Sequence, residues 1–210
     1  MTFKNRQRET HGPAPQIPSG AEPSARADRG AEAVLTGLAR LAVETFVRRG
    51  RLIDAPAADS YTALLQPAPC FVCIKTLDRR LRGCIGTVEA SRPTLAEEVV
   101  VNAVGAATRD PRFRPVTADE LASVFYTVDV LDTPEPARLE DLDPKHFGVI
   151  VENADGSRRG LLLPDIDGVE TVGRQIEIAA RKAGLPPHAP LKLYRFRVRR
   201  YKEPARAGTN

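Results

Sequence analysis

The sequence feature that most constrains the fold is a pair of short β-rich segments separated by a tight turn. Residues 70–76 (CFVCIKT) and 81–88 (LRGCIGTV) have the length and composition of strands, and residues 78–80 have the composition of a turn. A connection this short can join only antiparallel strands, because parallel strands need a crossover of a dozen or more residues. The segment therefore predicts a β-hairpin.

The rest of the chain mixes strands and helices. A second hairpin is predicted for residues 147–152 and 160–163, around a turn at 154–157. Helices are predicted for residues 31–48, 94–108 and 169–183. Further strands are predicted for residues 124–131 and 191–201. Phosphate-binding loops of the GxGxxG or GxxxxGK(S/T) type do not occur in the sequence. We therefore predict an α+β fold, with a mainly antiparallel sheet and flanking helices.

The chain's 210 residues allow one ordinary domain, which we place at residues 31–203. Residues 1–30 are rich in Pro, Gly, Ala, Ser and Arg and are predicted to be a disordered leader, while residues 204–210 are predicted to be a frayed tail. The sequence has neither an apolar run of about 18 residues nor a secretory signal pattern. We therefore expect a cytoplasmic protein without membrane segments, whose three cysteines are free thiols.

Residues 82–86 (RGCIG) are the most unusual segment. Alternation along a strand places Arg82, Cys84 and Gly86 on one face and Gly83 on the other. Two glycines so close together weaken a strand and indicate the close approach of backbone or of a ligand. Because a neighbouring guanidinium favours the thiolate, Cys84 is a candidate reactive or ligand-contacting residue in a glycine-lined cleft. The alternative is a small thiol that fills space in a tightly packed strand.

A second candidate site is the segment RDPRF at residues 109–113. Arg109 and Arg112 flank Asp110, and arginine forks match the oxygens of carboxylates and phosphates. The segment therefore predicts an anion-binding loop, and the alternative is an ion-paired loop anchored by Phe113. His146 is a candidate acid–base group near neutral pH, although a loop histidine is more commonly a surface residue.

Cys70 and Cys73 have CxxC spacing, but this pair does not predict a metal site. Zinc and redox CxxC pairs need a turn or a helix start that brings both sulfurs together. The Phe-Val between these two cysteines favours a strand, which directs the thiols to opposite faces. We expect no metal.

The C-terminal segment is basic. The net charge of the whole chain, +4, is too small to indicate nucleic-acid binding, but residues 191–210 contain seven Lys/Arg and one Glu. Arg195, Arg197 and Arg199 alternate with apolar residues, so one face of the predicted strand is a row of arginines. A solvated edge strand and a nucleic-acid-binding face both explain this row, and we favour the edge strand.

Four segments together resemble the AMMECR domain family, whose prokaryotic members are called AmmeMemoRadiSam system protein A. The segments are LRGCIGT (81–87), ATRDPRFRPVTADEL (107–121), GLLLP (160–164) and RKAGLP (181–186). The resemblance extends from about residue 31 to residue 203. It implies two unequal lobes with a cleft between them, in a cytoplasmic protein of undetermined biochemical activity. It also implies association with a Memo-type protein and a radical-SAM protein.

Residues 81–86 and 110–113 carry the family's motif positions, but several positions depart from its pattern: residues 163–166 are LPDI where the family has LPQV, and the Trp that often follows LPP is absent. Arg114 stands where the family usually has Pro, and Ala180 stands where many bacterial members have Cys. A relay of two cysteines through that helix is therefore absent here. Thiol chemistry would rest on Cys84, with Cys70 and Cys73 as second candidates.

These observations give three hypotheses for function. The first is an enzyme, or a component of one, that acts with Memo-like and radical-SAM partners on a small anionic or peptide substrate; its cofactor is unknown. Its candidate catalytic residues are Cys84 and Arg82, and its candidate binding residues are Gly83, Gly86, Arg109, Asp110, Arg112, Phe113 and His146. The second is a non-catalytic binding subunit of the same system. The third, ranked last, is a nucleic-acid-binding protein.

Overall fold

The computed structural model of the chain describes residues 25–55 and 62–204. Its first helix, α1, spans Ala25–Arg49, so it begins six residues before the predicted start of the domain. The remainder of the predicted leader and residues 205–210 of the predicted tail lie outside the described residues. Leu35, Leu38 and Ala42, which set the helical spacing in the sequence, are buried along α1.

The fold is α+β, as predicted, with antiparallel strands in two sheets. The other helices are α2 (Leu95–Thr108) and α3 (Val172–Lys182). The strands are β1 (Cys70–Thr76), β2 (Leu81–Gly86), β3 (Val124–Leu131), β4 (Glu135–Pro136), β5 (Gly148–Asn153), β6 (Arg159–Leu162), β7 (Leu191–Phe196) and β8 (Val198–Lys202). Short 3₁₀ helices span Thr62–Leu65, Ala118–Ser123 and Leu139–Asp141.

The first sheet has the strand order β2-β1-β3-β8, and every described pairing in it is antiparallel. Helices α1 and α2 pack against each other and against this sheet. Val43 of α1, Val99 of α2, Val72 of β1 and Val128 of β3 are completely buried in the resulting core. Strand β2 is an edge strand, which leaves one side of its backbone free to bond to other parts of the chain.

The second sheet has the order β4-β7-β5-β6, and α3 packs on β5 and β6. The predicted single strand at 191–201 is wrong, because the segment divides at Arg197. Its first part, β7, lies inside the second sheet, and its second part, β8, is an edge of the first. The division allows one segment to join both sheets.

A third apolar cluster connects the two sheets. Phe71 and Leu131 come from the first sheet, and Ile150 and Phe196 come from the second. Arg200 on β8 adds polar contacts, because it donates to Asp129 and to the carbonyl oxygen of Pro164. The predicted cleft between two lobes stays a prediction. Among the described residues, no helix is long and apolar enough to cross a membrane.

Two glycines allow helices to approach edge strands closely. A Cβ at Gly83 on β2 would overlap the carbonyl oxygen of Ala106 in α2. A Cβ at Gly160 on β6 would overlap the carbonyl oxygen of Ala179 in α3 in the same way. Both obstacles are helix backbone, which cannot rotate away as a side chain can. Glycine is therefore required at both places for steric reasons.

We expect Gly83→Ala and Gly160→Ala each to lower the free energy of unfolding by about 1–3 kcal/mol, because the added methyl group overpacks the interface between strand and helix. Urea denaturation measures this change. Gly37→Ala is the matched control, since a Cβ at Gly37 meets nothing within 4 Å. In the middle of α1 it is expected to raise stability by about 0.5–1 kcal/mol. Equal effects of all three substitutions would contradict the close approach.

Candidate functional site

The backbone of Cys84 is held by a buried carboxylate. Its N–H points away from β1 and donates to Oδ2 of Asp110 at 2.8 Å. Asp110 follows the end of α2 and is only 4% exposed. This bond holds Asp110, and with it the segment 110–113, against the free edge of β2. The RGCIG and DPRF segments therefore form one site.

Asp110 also positions Arg112. Nε of Arg112 donates to Oδ1 at 2.9 Å, and Nη2 donates to Oδ2 at 2.7 Å. The backbone N–H of Arg112 adds a third bond to Oδ1, at 3.1 Å. The hydrogen bonds from Arg112, together with the bond from Cys84, lower the pKa of Asp110 to about 2. Asp110 is therefore a carboxylate at neutral pH.

Arg82 is paired, and its partner is not a thiolate. Its guanidinium donates to both carboxylate oxygens of Glu120, at 2.7 and 2.9 Å, and to the carbonyl oxygens of Arg114 and Pro115. The bonds from Arg82 lower the pKa of Glu120 to about 2. Arg82 therefore fixes the segment that follows DPRF, and Glu120 balances its charge.

The ring of Phe113 lies near both guanidiniums, those of Arg82 and Arg112. The Cζ atom of Arg82 is 5.9 Å from the ring centroid, and that of Arg112 is 5.5 Å from it. Both distances are within the range of cation–π contacts. Phe113 is partly buried and is near a member of each ion pair, Arg82–Glu120 and Arg112–Asp110.

The expectation of three free thiols is wrong, because Cys73 and Cys84 form a disulfide. The two residues are direct partners in the antiparallel pairing of β1 and β2, with Cα atoms 4.1 Å apart. Their register depends on the turn between the strands, which spacing in the sequence alone does not determine. Cys70 is free and buried; burial, the largest effect, raises the pKa of its thiol to about 12.

The glycines of the motif are surrounded by protein. Gly83 meets α2, and the Gly86 position is filled by the ring of Phe71, which a Cβ there would overlap. Gly105 of α2 gives similar space to Arg109, since a Cβ at Gly105 would lie 2.9 Å from Nη2 of Arg109 and 3.2 Å from Cγ2 of Ile85. Arg109 is thereby placed next to β2.

Lys182, in the last turn of α3, was missed from the sequence and lies within range of the Arg112 charge. Desolvation by the surrounding chain, followed by the positive charge of nearby Arg112, lowers the pKa of Lys182. Its Nζ donates to the carbonyl oxygen of Leu161 at 3.3 Å. Among the side chains described in residues 30–55 and 64–204, Lys182 and Arg109 have no ion-pair partner. We call Arg112, Lys182 and Arg109 the basic surface. Arg109 directly precedes Asp110 in the chain, and its side chain lies over Gly105 and Ile85, on the face of β2 opposite to the Cys84 side chain.

Glu98 supports the loop that follows β2 and was also missed from the sequence. Its buried carboxylate accepts bonds from the Thr87 hydroxyl at 2.6 Å, from the backbone N–H groups of Ser91 and Arg92, and from the side chain of Asn102. Asn102 in turn donates to the carbonyl oxygen of Cys70. Glu98 thus ties residues 87–92 to α2.

His146 lies in an exposed turn before β5. Its Nδ1 is 2.8 Å from Oδ2 of Asp143, and the side chain is 69% exposed. The described contacts connect it to this turn and not to Cys84 or Asp110. Within the described parts of the chain, no group of three His, Cys, Asp or Glu residues could hold a metal ion.

The row of arginines is divided between the two sheets. Arg195 pairs with Glu135 at 2.6 Å, and Arg199 lies 3.8 Å from Asp132. The Cζ atoms of Arg195 and Arg197 are 4.7 and 5.2 Å from the ring centroid of Phe147. Two of the three arginines thus have carboxylate partners, which reduces the charge available to a nucleic acid.

The chain belongs to the AMMECR1 family, whose model matches residues 36–203. It is 48% identical over 162 residues to a Thermotoga maritima protein, a match that covers 76% of this chain and 92% of that protein. A Thermofilum pendens protein is 38% identical over 193 residues, a match that covers 81% of this chain and 89% of that protein. The crystal structure of an uncharacterised Pyrococcus horikoshii protein has a TM-score of 0.74 and 30% identity, and the match covers 80% of this chain and 89% of that one.

We expect Asp110→Asn to lower the free energy of unfolding at pH 7 by about 1–3 kcal/mol, because the amide weakens the bonds from Cys84 and Arg112. The lowered pKa of Asp110 sets the sign of the pH dependence. The stabilising effect of the Asp110 carboxylate is complete above the ordinary carboxyl pKa of about 4 and is lost as the pH falls toward 2. We therefore expect the unfolding free energies of wild type and Asp110→Asn, measured by urea denaturation from pH 7 to pH 3, to converge at low pH.

The exposed Asp167 provides the control for this series. Asp167→Asn is expected to change the unfolding free energy by less than about 0.5 kcal/mol at any of these pH values. A pH-independent difference between wild type and Asp110→Asn would contradict the assigned role of the carboxylate.

Proposed function

We propose that this protein is the substrate-binding component of an enzymatic modification system. In this proposal it holds an anionic group of a small molecule or peptide on the basic surface. The observation that carries the proposal is the uneven balance of charge there. Arg112 balances Asp110, whereas Arg109 and Lys182 add positive charge for which the described residues supply no carboxylate.

Repulsion between Arg112 and Lys182 favours the binding of an anion. Desolvation lowers the pKa of Lys182 most, and the positive charge of Arg112 lowers it further, so the two cations repel each other. A carboxylate or phosphate would relieve this repulsion and accept charge-assisted hydrogen bonds. Because Asp110 fixes the orientation of Arg112, part of the cost of ordering the site is met before the ligand binds.

We favour anion binding as the function of this site over nucleophilic catalysis by the Cys84 thiol. A nucleophilic cysteine needs a free thiolate and a base within hydrogen-bonding reach. The partners of Cys84 are Cys73, through its sulfur, and Asp110, through its backbone N–H. The proposed activation of the thiol by Arg82 is weakened because Glu120 balances that charge.

Partners are part of the same proposal. The family resemblance supplies the expectation of a Memo-like protein and a radical-SAM protein, together with a cytoplasmic location. A Clostridium acetobutylicum relative, 49% identical over 123 residues, supports joint action with other protein regions. The matching segment makes up 26% of that protein, so most of its chain lies outside the match.

The test uses inorganic phosphate and acetate as probes of the basic surface. Isothermal titration calorimetry or NMR chemical-shift changes measure their binding. Arg109→Gln and Lys182→Gln are each expected to weaken phosphate binding about tenfold, which is the size of one charge-assisted hydrogen bond. Lys192→Gln is the matched control, because Lys192 is exposed on β7 and pairs with Glu152. It is expected to bind phosphate like the wild type.

Equal binding of both probes by the wild type and by the double variant Arg109→Gln/Lys182→Gln would contradict the proposal. Affinity purification of the full chain from native lysate tests the partners separately. Recovery of a Memo-like or radical-SAM protein by the wild type, and its loss in the double variant, would support joint action at this surface. Equal recovery by both would place the partner elsewhere.

A further inference from the structure

The disulfide occupies a favourable position in the β1–β2 hairpin. Cys73 and Cys84 are direct cross-strand partners, and the N–H of Cys84 bonds to Asp110 rather than to β1. This identifies the pair as one without backbone hydrogen bonds between its members, where facing side chains are closest. The two sulfurs therefore meet without a change in strand register.

The hairpin does not depend on the disulfide for its shape. Antiparallel pairing continues on both sides of the cysteines, from Phe71↔Gly86 to Ile74↔Gly83. The turn is closed by backbone bonds from Thr76 to Arg80 at 2.9 Å and from Arg79 to Thr76 at 2.8 Å. Cleavage of the sulfur–sulfur bond would leave both cysteines facing each other, so the same bond can form again.

The three cysteines differ in exposure. Cys84 on the edge strand is partly exposed, Cys73 on the inner strand is 8% exposed, and Cys70 is completely buried on the opposite face. A thiol or disulfide from solvent therefore reaches the sulfur of Cys84 first. Cys73 is within bonding distance of Cys84 but shielded from solvent, which is the arrangement of a resolving cysteine.

We propose that Cys84 is a site of reversible modification by low-molecular-weight thiols and disulfides, with Cys73 as its resolving cysteine. The proposal stands on the geometry of the hairpin and does not require an anionic ligand. Oxidation converts the Cys84 thiol to a disulfide, while the bond from its backbone N–H to Asp110 is retained.

The chemistry balances as thiol–disulfide exchange. In the oxidising direction, the Cys84 thiolate attacks a small disulfide RSSR, forms Cys84–S–SR and releases RS⁻. The Cys73 thiolate then attacks the Cys84 sulfur, forms the Cys73–Cys84 bond and releases a second RS⁻. Both RS⁻ groups take up the protons that the two cysteines lose. Overall, two cysteine thiols are oxidised by two electrons, and one RSSR is reduced to two RSH.

The experiment equilibrates the full chain with glutathione and glutathione disulfide at several ratios. The samples are quenched with acid and alkylated with iodoacetamide. Peptide mass spectrometry then determines the modification state of each cysteine. We expect a linked Cys73–Cys84 peptide in oxidising mixtures, two alkylated cysteines in reducing mixtures, and full interconversion between the two. Cys73→Ser removes the resolving thiol and is expected to accumulate glutathione on Cys84. In Cys84→Ser, modification of Cys73 is expected to be at least about tenfold slower because this residue is shielded.

Cys70 provides the internal control for folding. Its thiol is buried, so alkylation of the native protein before quenching labels it only if the core opens. Absence of glutathione on Cys84 in Cys73→Ser would overturn the proposal. So would equal modification of Cys73 in Cys84→Ser, or labelling of Cys70 on reduction, which would make the disulfide a requirement for folding. Phosphate titrations of the oxidised and reduced forms test the proposed function independently of these outcomes.

Discussion

The site depends on the bond between the Asp110 carboxylate and the backbone N–H of Cys84. An edge strand presents unpaired backbone groups, and here one of them is satisfied by a side chain that arrives from the end of α2. The same carboxylate accepts three bonds from Arg112. A single buried charge thus connects the strand that carries Cys84 with the loop that carries the cations, which explains why two motifs about 25 residues apart act as one site.

The supports around this bond are rigid. Gly83 allows α2 to touch β2 through backbone atoms, so the helix that leads into Asp110 packs directly on the strand that carries Cys84. Arg82 and Glu120 fix the chain beyond residue 113, and Glu98 fixes the loop after β2. In this setting the redox state of Cys84 is expected to change the chemistry at its sulfur and to leave its backbone in place.

Local patterns gave accurate predictions where local physics decides. The strands at 70–76 and 124–131 lie where β propensity and turn residues place them, and α2 begins directly after its N-cap Thr94, within the predicted range 94–108. The division of the last strand at Arg197 was not predictable in this way, because the alternation of Tyr194, Phe196 and Val198 continues through the break. Only the packing of two sheets decides which part joins which sheet.

The candidate site was predicted only in part for a similar reason. Its motif residues were identified from unusual composition and from the family resemblance, but their partners are distant in the sequence. Glu120 is 38 residues from Arg82, and Lys182 comes from α3, so their contacts depend on tertiary structure. The disulfide needed the hairpin register, since a shift by one residue would turn Cys84 away from Cys73.

Amide hydrogen exchange at Cys84 tests the central interaction most directly. An N–H on the free side of an edge strand exchanges rapidly with solvent unless another group accepts its bond. We expect slow exchange of the Cys84 amide in the wild type, comparable to that of the Val72 amide on the inner strand β1. We also expect rapid exchange in Asp110→Ala, with Val72 unchanged. Rapid exchange of Cys84 in the wild type, at the rate of the turn amide of Leu77, would contradict the bond to Asp110.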